Sequence, residues 1–299
     1  MVIGFSGGVD STALLLLAAV VAERESSVSG LHAVYVHHHL RAQADEDVIH
    51  CRELCTRLGV SFIATDVRPR ATAGGLAAEA RRLRHEALTG CAMRVGAKFI
   101  ALAHQSDDVL ETLLMRLGRG IAVRGLSTIP WTRRAEPTSE IAIVRPLLAE
   151  SRAELVRLCT SCEVSWREDA SNGLESSPRG FLRASVIPAL RERWGRIASH
   201  AVDASDAARS GEWALAEIAA RDGWCGDEIA RTQCRERGPL VAASLLASAC
   251  RARGIPLSPR TVRAVIDAAC DHELRPREFS EGAVTVLLTA RALRVTLQG

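Results

Sequence analysis

The stretch Phe5-Ser6-Gly7-Gly8-Val9-Asp10-Ser11, "FSGGVDS", lies between the apolar run "VIG" and the apolar run "TALLLLAAVVA". No other feature restricts the fold as much. "MVIGF" is short, β-branched and aromatic, which predicts a buried parallel strand, and residues Asp10 to Glu23 read as a helix. A glycine-rich turn from strand to helix directs backbone N–H groups outward at a helix N-terminus, where the dipole and the unpaired donors favour a phosphate. This turn is not a Walker A loop, because that motif requires Gly-Lys-Ser/Thr and the one lysine of the chain is Lys98. Charge on a bound polyphosphate must then be met by backbone, arginine or metal. An isolated Ser-Gly-Gly is as readily a tight turn whose Ser and Asp cap the helix; the full string with both flanks is more specific.

Further strands are expected at "LHAVYVHH", "SFIATDV" and "KFIALAH", with helices at Asp45 to Leu58, Leu76 to Arg94 and Asp107 to Leu117. Strands and helices alternating at this spacing predict an α/β fold with a doubly wound, mostly parallel, Rossmann-like sheet. In such sheets ligands bind beyond the strand C-termini, and "FSGGVDS", "HHHLR" and "AHQSDD" all fall there, on one rim. Past a loop and short strand in "IPWTRRAEPTSEIAIVRPLL" the chain reads as helical through Asp206 to Arg221, and "RDGWCGDE" reads as a linker. Two helices then follow, "PLVAASLLASACRARG" and "SPRTVRAVIDAAC", the second with Ser258 as N-cap and Pro259 in its first turn. The closing "AVTVLLTARALRVTL" reads as a β-hairpin. The expected organisation is a catalytic domain over 1–200, a helical linker over 201–222 and a small α+β domain over 223–299.

Several function classes are set aside by simple arguments. "TALLLLAAVVA" is too short to span a bilayer, and the N-terminus has neither the basic region nor the cleavage site of a signal peptide, so no membrane association and a cytoplasmic location are expected. Nine cysteines, an odd number without small-domain spacing, fit reduced thiols better than a disulfide framework. Net charge is only +3, but its distribution is uneven. Arg116, Arg119, Arg124, Arg133 and Arg134 occur without an acid between them, and Arg179, Arg183, Arg191, Arg193 and Arg196 have only Glu192 nearby. Such clusters suit phosphate backbones, although each alone is as well explained as solvated surface.

"AHQSDDVLET" offers His104, Asp107, Asp108 and Glu111 at a strand end and first helical turn, where carboxylates can hold Mg²⁺ through oxygen and water. The plainer reading is helix capping by Asp107. "VHHHLR" offers His37, His38, His39 and Arg41. A histidine-rich strand end can bind zinc, but no Cys/His partner set at a zinc spacing accompanies it, so polar rim contacts are preferred. Cys159 and Cys162, in a Cys-x-x-Cys pair, read as helix-face cysteines, like Cys51 and Cys55.

"SGGVDS" resembles the pyrophosphate loop of the N-type ATP pyrophosphatases, and further motifs resemble the tRNA(Ile)-lysidine synthetase family within that superfamily. "VHHHLR" followed by "ADED" matches a second motif at His38 and Arg41. "EARRLRH" is similar to Ala-Arg-x-x-Arg-Tyr, with Arg81 and Arg84 matching and His85 in place of tyrosine. "AHQSDDVLETLLMRLGRG" is similar to the family's His-x-x-Asp-Asp-x-x-Glu-Thr segment, and "RPLL", "REDASN" and "RGFLRASVIPAL" resemble the remaining signatures. The likeness is strong over residues 1 to 195 and weak beyond. The chain departs from the pattern at Gly180, where the family usually has asparagine. Its length resembles that of compact members with one C-terminal domain.

The resemblance implies that ATP adenylates O2 of the wobble cytidine, position 34, of the isoleucine tRNA with a CAU anticodon, and that free lysine then displaces AMP. The product, lysidine, shifts codon reading from AUG to AUA. It further implies ATP binding by Ser6, Gly7, Gly8, Val9, Asp10 and Ser11, with Asp10 helping to hold Mg²⁺. Asp10, His104, Asp107 and Asp108 are the implied catalytic residues. His38, Arg41, Arg81, Arg84, Glu111, Arg116, Arg119, Arg179 and Arg183 are the implied tRNA or substrate contacts. Asp107, Asp108 and His104 remain alternatives for orienting or deprotonating the lysine amine, and a homodimer is compatible with the family. Two rivals are tRNA thiolation, against which "LLMRLGRG" lacks the expected cysteines, and a nucleotide-binding module without catalysis.

Overall fold

The computed structural model describes residues 1–25, 30–39, 44–72, 75–119, 123–167, 177–224, 226, 228–255, 257–271 and 275–297. By compactness the chain divides into two units, one of Met1–Gly120 with Ser127–Ser205 and the other of Ile121–Leu126 with Asp206–Gly299.

The first unit is built on strands β1 (Val2–Gly4), β2 (His32–His37), β3 (Ser61–Asp66), β4 (Phe99–Ala101), β5 (Thr132–Arg134) and β6 (Ala142–Val144), in the order β3-β2-β1-β4-β6-β5. All neighbours are parallel except β5, which pairs antiparallel with β6 at the edge. The sequence reading has one short strand where the structure has this pair. Helices α1 (Val9–Arg24), α2 (Ala44–Arg57) and α5 (Arg152–Ser161) share one core cluster with β1, through Ile3, Leu14, Leu15, Cys51, Leu54, Leu155 and Cys159. Helix α3 (Leu76–Arg94) belongs to another, with Val2, Val34, Ile100 and Ile143. Because alternate residues of a strand face opposite ways, Val2 and Ile3 enter different clusters. Burying such a Leu, Ile or Val contributes about 1.5–3 kcal/mol relative to exposure, so β1 reads as a continuous apolar run.

Helix α4 (Ser106–Gly118) follows β4. The strand order reverses between β1 and β4, which opens a crevice at their C-terminal ends. The glycine turn leaves β1 and the "AHQSDD" segment leaves β4, so both edges of that crevice carry the motifs. Helix α6 (Pro178–Phe181), a π-helical segment Leu182–Val186 and α7 (Ile187–Arg193) follow one another without a gap, and α8 (Ile197–Arg221) runs across the division between the units.

In the second unit β7 (Glu228–Ala230), β8 (Arg277–Glu281), β9 (Val284–Leu288) and β10 (Ala292–Leu297) form an antiparallel sheet ordered β7-β10-β9-β8. The expected hairpin is β9–β10, and the two outer strands extend it. Helices α9 (Arg231–Arg237), α10 (Pro239–Ala252) and α11 (Pro259–Cys270) complete the unit. Ser258 caps α11 by accepting from Thr261 N at 3.2 Å, with Pro259 in the first turn. Val262, Val265, Ile266 and Ala269 recur at helical spacing on its buried face. Trp224, in the stretch that reads as a linker, is 1% exposed and belongs to this unit's core. Trp224 is thereby anchored in that core.

Candidate active site

The glycine turn is shaped by two different demands. Gly7 has φ +78, and a Cβ there would come 2.9 Å from the Cys51 sulfur, so both conformation and space exclude a side chain. Gly8 has an ordinary φ of −74 as N-cap of α1, and a Cβ on it would meet nothing nearer than 3.7 Å. Gly8 lines the cavity, so its bare backbone leaves room for a ligand. The loop is held by Ser11, whose Oγ donates to Gly8 O at 2.9 Å and accepts from Ser6 N at 3.2 Å. Arg167 N donates to Gly7 O at 2.8 Å, while its guanidinium spans Asp47 Oδ1 at 2.8 Å and Glu46 Oε2 at 3.1 Å on α2. The first N–H groups of α1 have no acceptor within the helix by its geometry, and Val9, Asp10 and Ser11 line the cavity beside them.

The cavity has a volume of about 920 Å³. Among the described residues, eight arginines line it, namely 81, 84, 116, 133, 145, 152, 167 and 179, against three aspartates, Asp10, Asp47 and Asp108. That balance selects a polyanion. His38, His39 and His104 also line it. Asp10 Oδ2 accepts from Arg152 Nη1 at 3.3 Å, while Oδ1 is buried without a hydrogen-bond partner. Burial, then the nearby Asp108 and Asp107 carboxylates, push the Asp10 carboxyl up to about 6 against the pull of Arg152 and Arg183. Burial and the surrounding Arg145, Arg84 and Arg81 push the His104 imidazole down to about 3, and burial with Arg84, Arg133 and Arg81 brings His85 down to about 4. Both rings are therefore neutral at pH 7. His104 Nδ1 and Arg84 Nε are buried with no hydrogen-bond partner.

The start of α4 is organised differently from the sequence reading. Gln105, not Asp107, is the N-cap: its side chain accepts from Asp107 N at 2.7 Å, and Asp108 Oδ2 accepts from Gln105 N at 3.1 Å. Asp107 thereby becomes free to face the helical run 178–193. Arg191 donates to Asp107, Arg183 to Glu111 and, at 3.3 Å, to Asp108, and Arg179 Nε lies 3.1 Å from Glu111. The pairing order runs antiparallel to α4. On an uninterrupted α-helix Arg179 and Arg191 would point about 120° apart. The π-helical residues each turn the chain less, which brings the three arginines toward one face. Glu111, with a side chain 2% exposed, is enclosed by this row.

The sequence-derived residues therefore separate into two layers. Ser6, Gly8, Val9, Asp10, Ser11, His38, Arg81, Arg84, His104, Asp108, Arg116 and Arg179 line the cavity. Asp107, Glu111 and Arg183 form the ion-paired layer behind it. Gly7 supports the loop, Arg119 is exposed at the C-cap of α4, and Arg41 lies outside the described residues. Gly180 N donates to Ser177 Oγ at 3.0 Å within α6. Arg152 was not singled out from the sequence, and no local signal marks it, because its capping box at Ser151 and Glu154 only announces α5. Arg145 and Arg167 do sit in quoted signatures, "RPLL" and "REDASN", whose chemistry the sequence alone did not disclose.

Residues 1–190 match the model of the PP-loop domain family. The chain is 39% identical over 221 residues to a tRNA(Ile)-lysidine synthase of Pseudomonas syringae pv. tomato, covering 74% of this chain and 48% of that protein. It is 35% identical over 257 residues to one of Alkalilimnicola ehrlichii, covering 85% of this chain and 54% of that protein. The chain thus spans about half the length of these curated relatives. Among solved structures, the U34-tRNA thiolase NcsA of Methanococcus maripaludis with its [4Fe-4S] cluster superposes with a TM-score of 0.57 at 15% identity, over 70% of each chain. That likeness is one of fold.

Proposed function

The chain belongs to the PP-loop domain family, and from that membership we propose that it uses ATP to join lysine to C2 of the wobble cytidine of the CAU-anticodon isoleucine tRNA. One observation carries this reading: the loop ending in Asp10, with its unpartnered Oδ1, opens into the same arginine-walled cavity as His104 and Asp108. The volume suits a nucleotide together with an inserted base. The likeness to lysidine synthases supplies the choice of base and amine. No cysteine is among the described residues lining the cavity, which favours this reading over thiolation.

In the first step ATP's phosphates rest on the backbone donors of Gly8 to Ser11 and the arginine wall, and cytidine O2 attacks the α-phosphate as pyrophosphate leaves. A weakly nucleophilic base oxygen gains most from alignment. Mg²⁺ fits an oxygen donor at Asp10, whose Oδ1 is buried without a hydrogen-bond partner. When bound, the ion neutralises charge developing on the leaving group.

In the second step the lysine amine must lose a proton as it displaces AMP. Asp108 lines the cavity, and burial raises its proton affinity, so we assign it to orient and deprotonate the amine. His104, held down at about 3, is the weaker base and serves as a neutral hydrogen-bonding group. Asp107, engaged by Arg191 and by Arg152 N at 3.3 Å, positions α4. The nucleotide motifs all precede Asp206, so we assign recognition of the tRNA body to residues 223–299.

The test is mass spectrometry of the tRNA after incubation with ATP, Mg²⁺ and lysine. The RNA should gain a lysyl group only when lysine is present, with AMP and pyrophosphate released. Omitting lysine should leave adenylated tRNA. Sulfur incorporation, or AMP formation without lysine entering the RNA, overturns the reading.

A further inference from the structure

Strands β2 and β3 end together, with His37 paired in register to Asp66. In parallel neighbours aligned side chains project from the same face of the sheet. Immediately after β2 the chain enters the left-handed region, with φ 53 at His39. This fold-back brings His39 N to 3.2 Å from His37 Nδ1, sets the two rings 4.0 Å apart between centroids at a tilt of 55°, and sets His39 Nε2 2.7 Å from Asp66 Oδ1. One ligand atom from each of the three residues then lies within 4.8 Å of the others.

We propose that His37, His39 and Asp66 form a site for a borderline divalent transition metal, such as Zn²⁺ or Co²⁺, at the rim of the cavity. Two imidazoles and one carboxylate suit these ions, whereas Mg²⁺ prefers an all-oxygen shell. His37 Nδ1 accepts from His39 N at 3.2 Å, and that hydrogen bond gives way where this nitrogen takes the ion. At Zn–N distances of about 2.0–2.1 Å, tetrahedral ligands stand roughly 3.3 Å apart, so the His39–Asp66 pair opens by about half an ångström as the ion replaces the shared proton. Asp66, with a side chain 72% exposed, can make that movement, and His39 at 39% leaves an open side for water. A non-glycine residue in the left-handed region is uncommon, and here it makes the fold-back that gathers the three ligand groups. His38, between the two histidines, lines the cavity, so occupancy would be felt beside the nucleotide. The site does not depend on which reaction the cavity performs.

The experiment is a Co²⁺ titration of the full chain, with thiols reduced and Mg²⁺ in excess. One Co²⁺ should bind per chain, with a visible spectrum of nitrogen and oxygen ligation and no thiolate charge-transfer band, and Zn²⁺ should displace it. His39→Ala and Asp66→Asn, both at exposed positions and checked for folding by circular dichroism, should each weaken binding at least about tenfold. His200→Ala, at an exposed histidine of α8, should leave it unchanged. Absence of saturable binding, a thiolate band, or wild-type affinity in the two site variants overturns the proposal.

Discussion

The start of α4 and the end of α11 both bring guanidinium groups into protein interior, and they do so to opposite ends. At α11, Arg231 is 2% exposed and donates to four backbone carbonyls, Ala268 at 2.7 Å, Ala269 at 3.0 Å, Asp271 at 3.1 Å and Thr289 at 3.3 Å. It satisfies carbonyls that a helix C-terminus leaves open, and its charge is well placed against the dipole. Around α4, Arg179, Arg183 and Arg191 meet carboxylates instead, and in front of them Asp10 Oδ1, His104 Nδ1 and Arg84 Nε are left without partners. A buried charge whose hydrogen bonds close within the protein is structure. One that leaves atoms unmatched in a cavity is waiting for a ligand.

The largest expected effect breaks the contrast at its functional end. Asp10→Asn should lower tRNA-dependent pyrophosphate release at least about a hundredfold while leaving the fold intact, as measured by a coupled pyrophosphate assay and circular dichroism. Near-normal turnover would remove the loop from the chemistry. Next, Arg231→Leu should destabilise the second unit by about 2–4 kcal/mol, since several carbonyls lose their donor at once. Hydrogen exchange in α11 should report that loss, while ATP binding measured by calorimetry stays unchanged.

Of intermediate size is Arg183→Ala, which leaves the enclosed Glu111 with one guanidinium fewer and should cost about 1–3 kcal/mol, read by urea denaturation. Arg183→Lys should recover only part of it, because lysine cannot span Glu111 and Asp108 as a fork. The smallest effect concerns pH. The raised Asp10 carboxyl binds its proton more tightly folded than unfolded, so its contribution to stability is present below about pH 4 and lost as pH rises to about 6. His104 and His85 act in the opposite sense, since their lowered values make stability fall as pH drops from about 6.5 toward 3 to 4. Replacing Asp10 by asparagine should therefore steepen acid destabilisation in that window. An unchanged thermal-melting profile between pH 4 and 6 would mean that Asp10 is ionised like an exposed aspartate.

The legibility of the site follows the same division. The anion turn, the strand-to-helix order and the acids of α4 were readable because each depends on neighbours a few residues away. By sequence the arginine cluster from Arg179 to Arg196 suits either a phosphate backbone or solvated surface; in the structure Arg179, Arg183 and Arg191 are engaged by carboxylates about 70 to 80 residues earlier, whose identity as partners no local pattern signals. Zinc at the histidine run was set aside for want of a Cys/His spacing. The third donor proposed above, Asp66, lies on the adjacent strand, 27 residues from His39.

Sequence by itself determined the parts whose energetics are local: glycine at residue 7 where φ is positive, Ser258 as a helix cap, the continuous apolar run of β1, and the period of α11's apolar face. Tertiary structure alone decided which charges meet. Arg152 reaches Asp10 across 142 residues, and Gln105 rather than Asp107 takes the cap, leaving Asp107 for Arg191. Covalent spacing dictates short-range hydrogen bonds and periodicity. The partner of a buried charge is chosen only after hydrophobic faces have packed their helices and strands together, because only then is water excluded and each unmatched ion made costly.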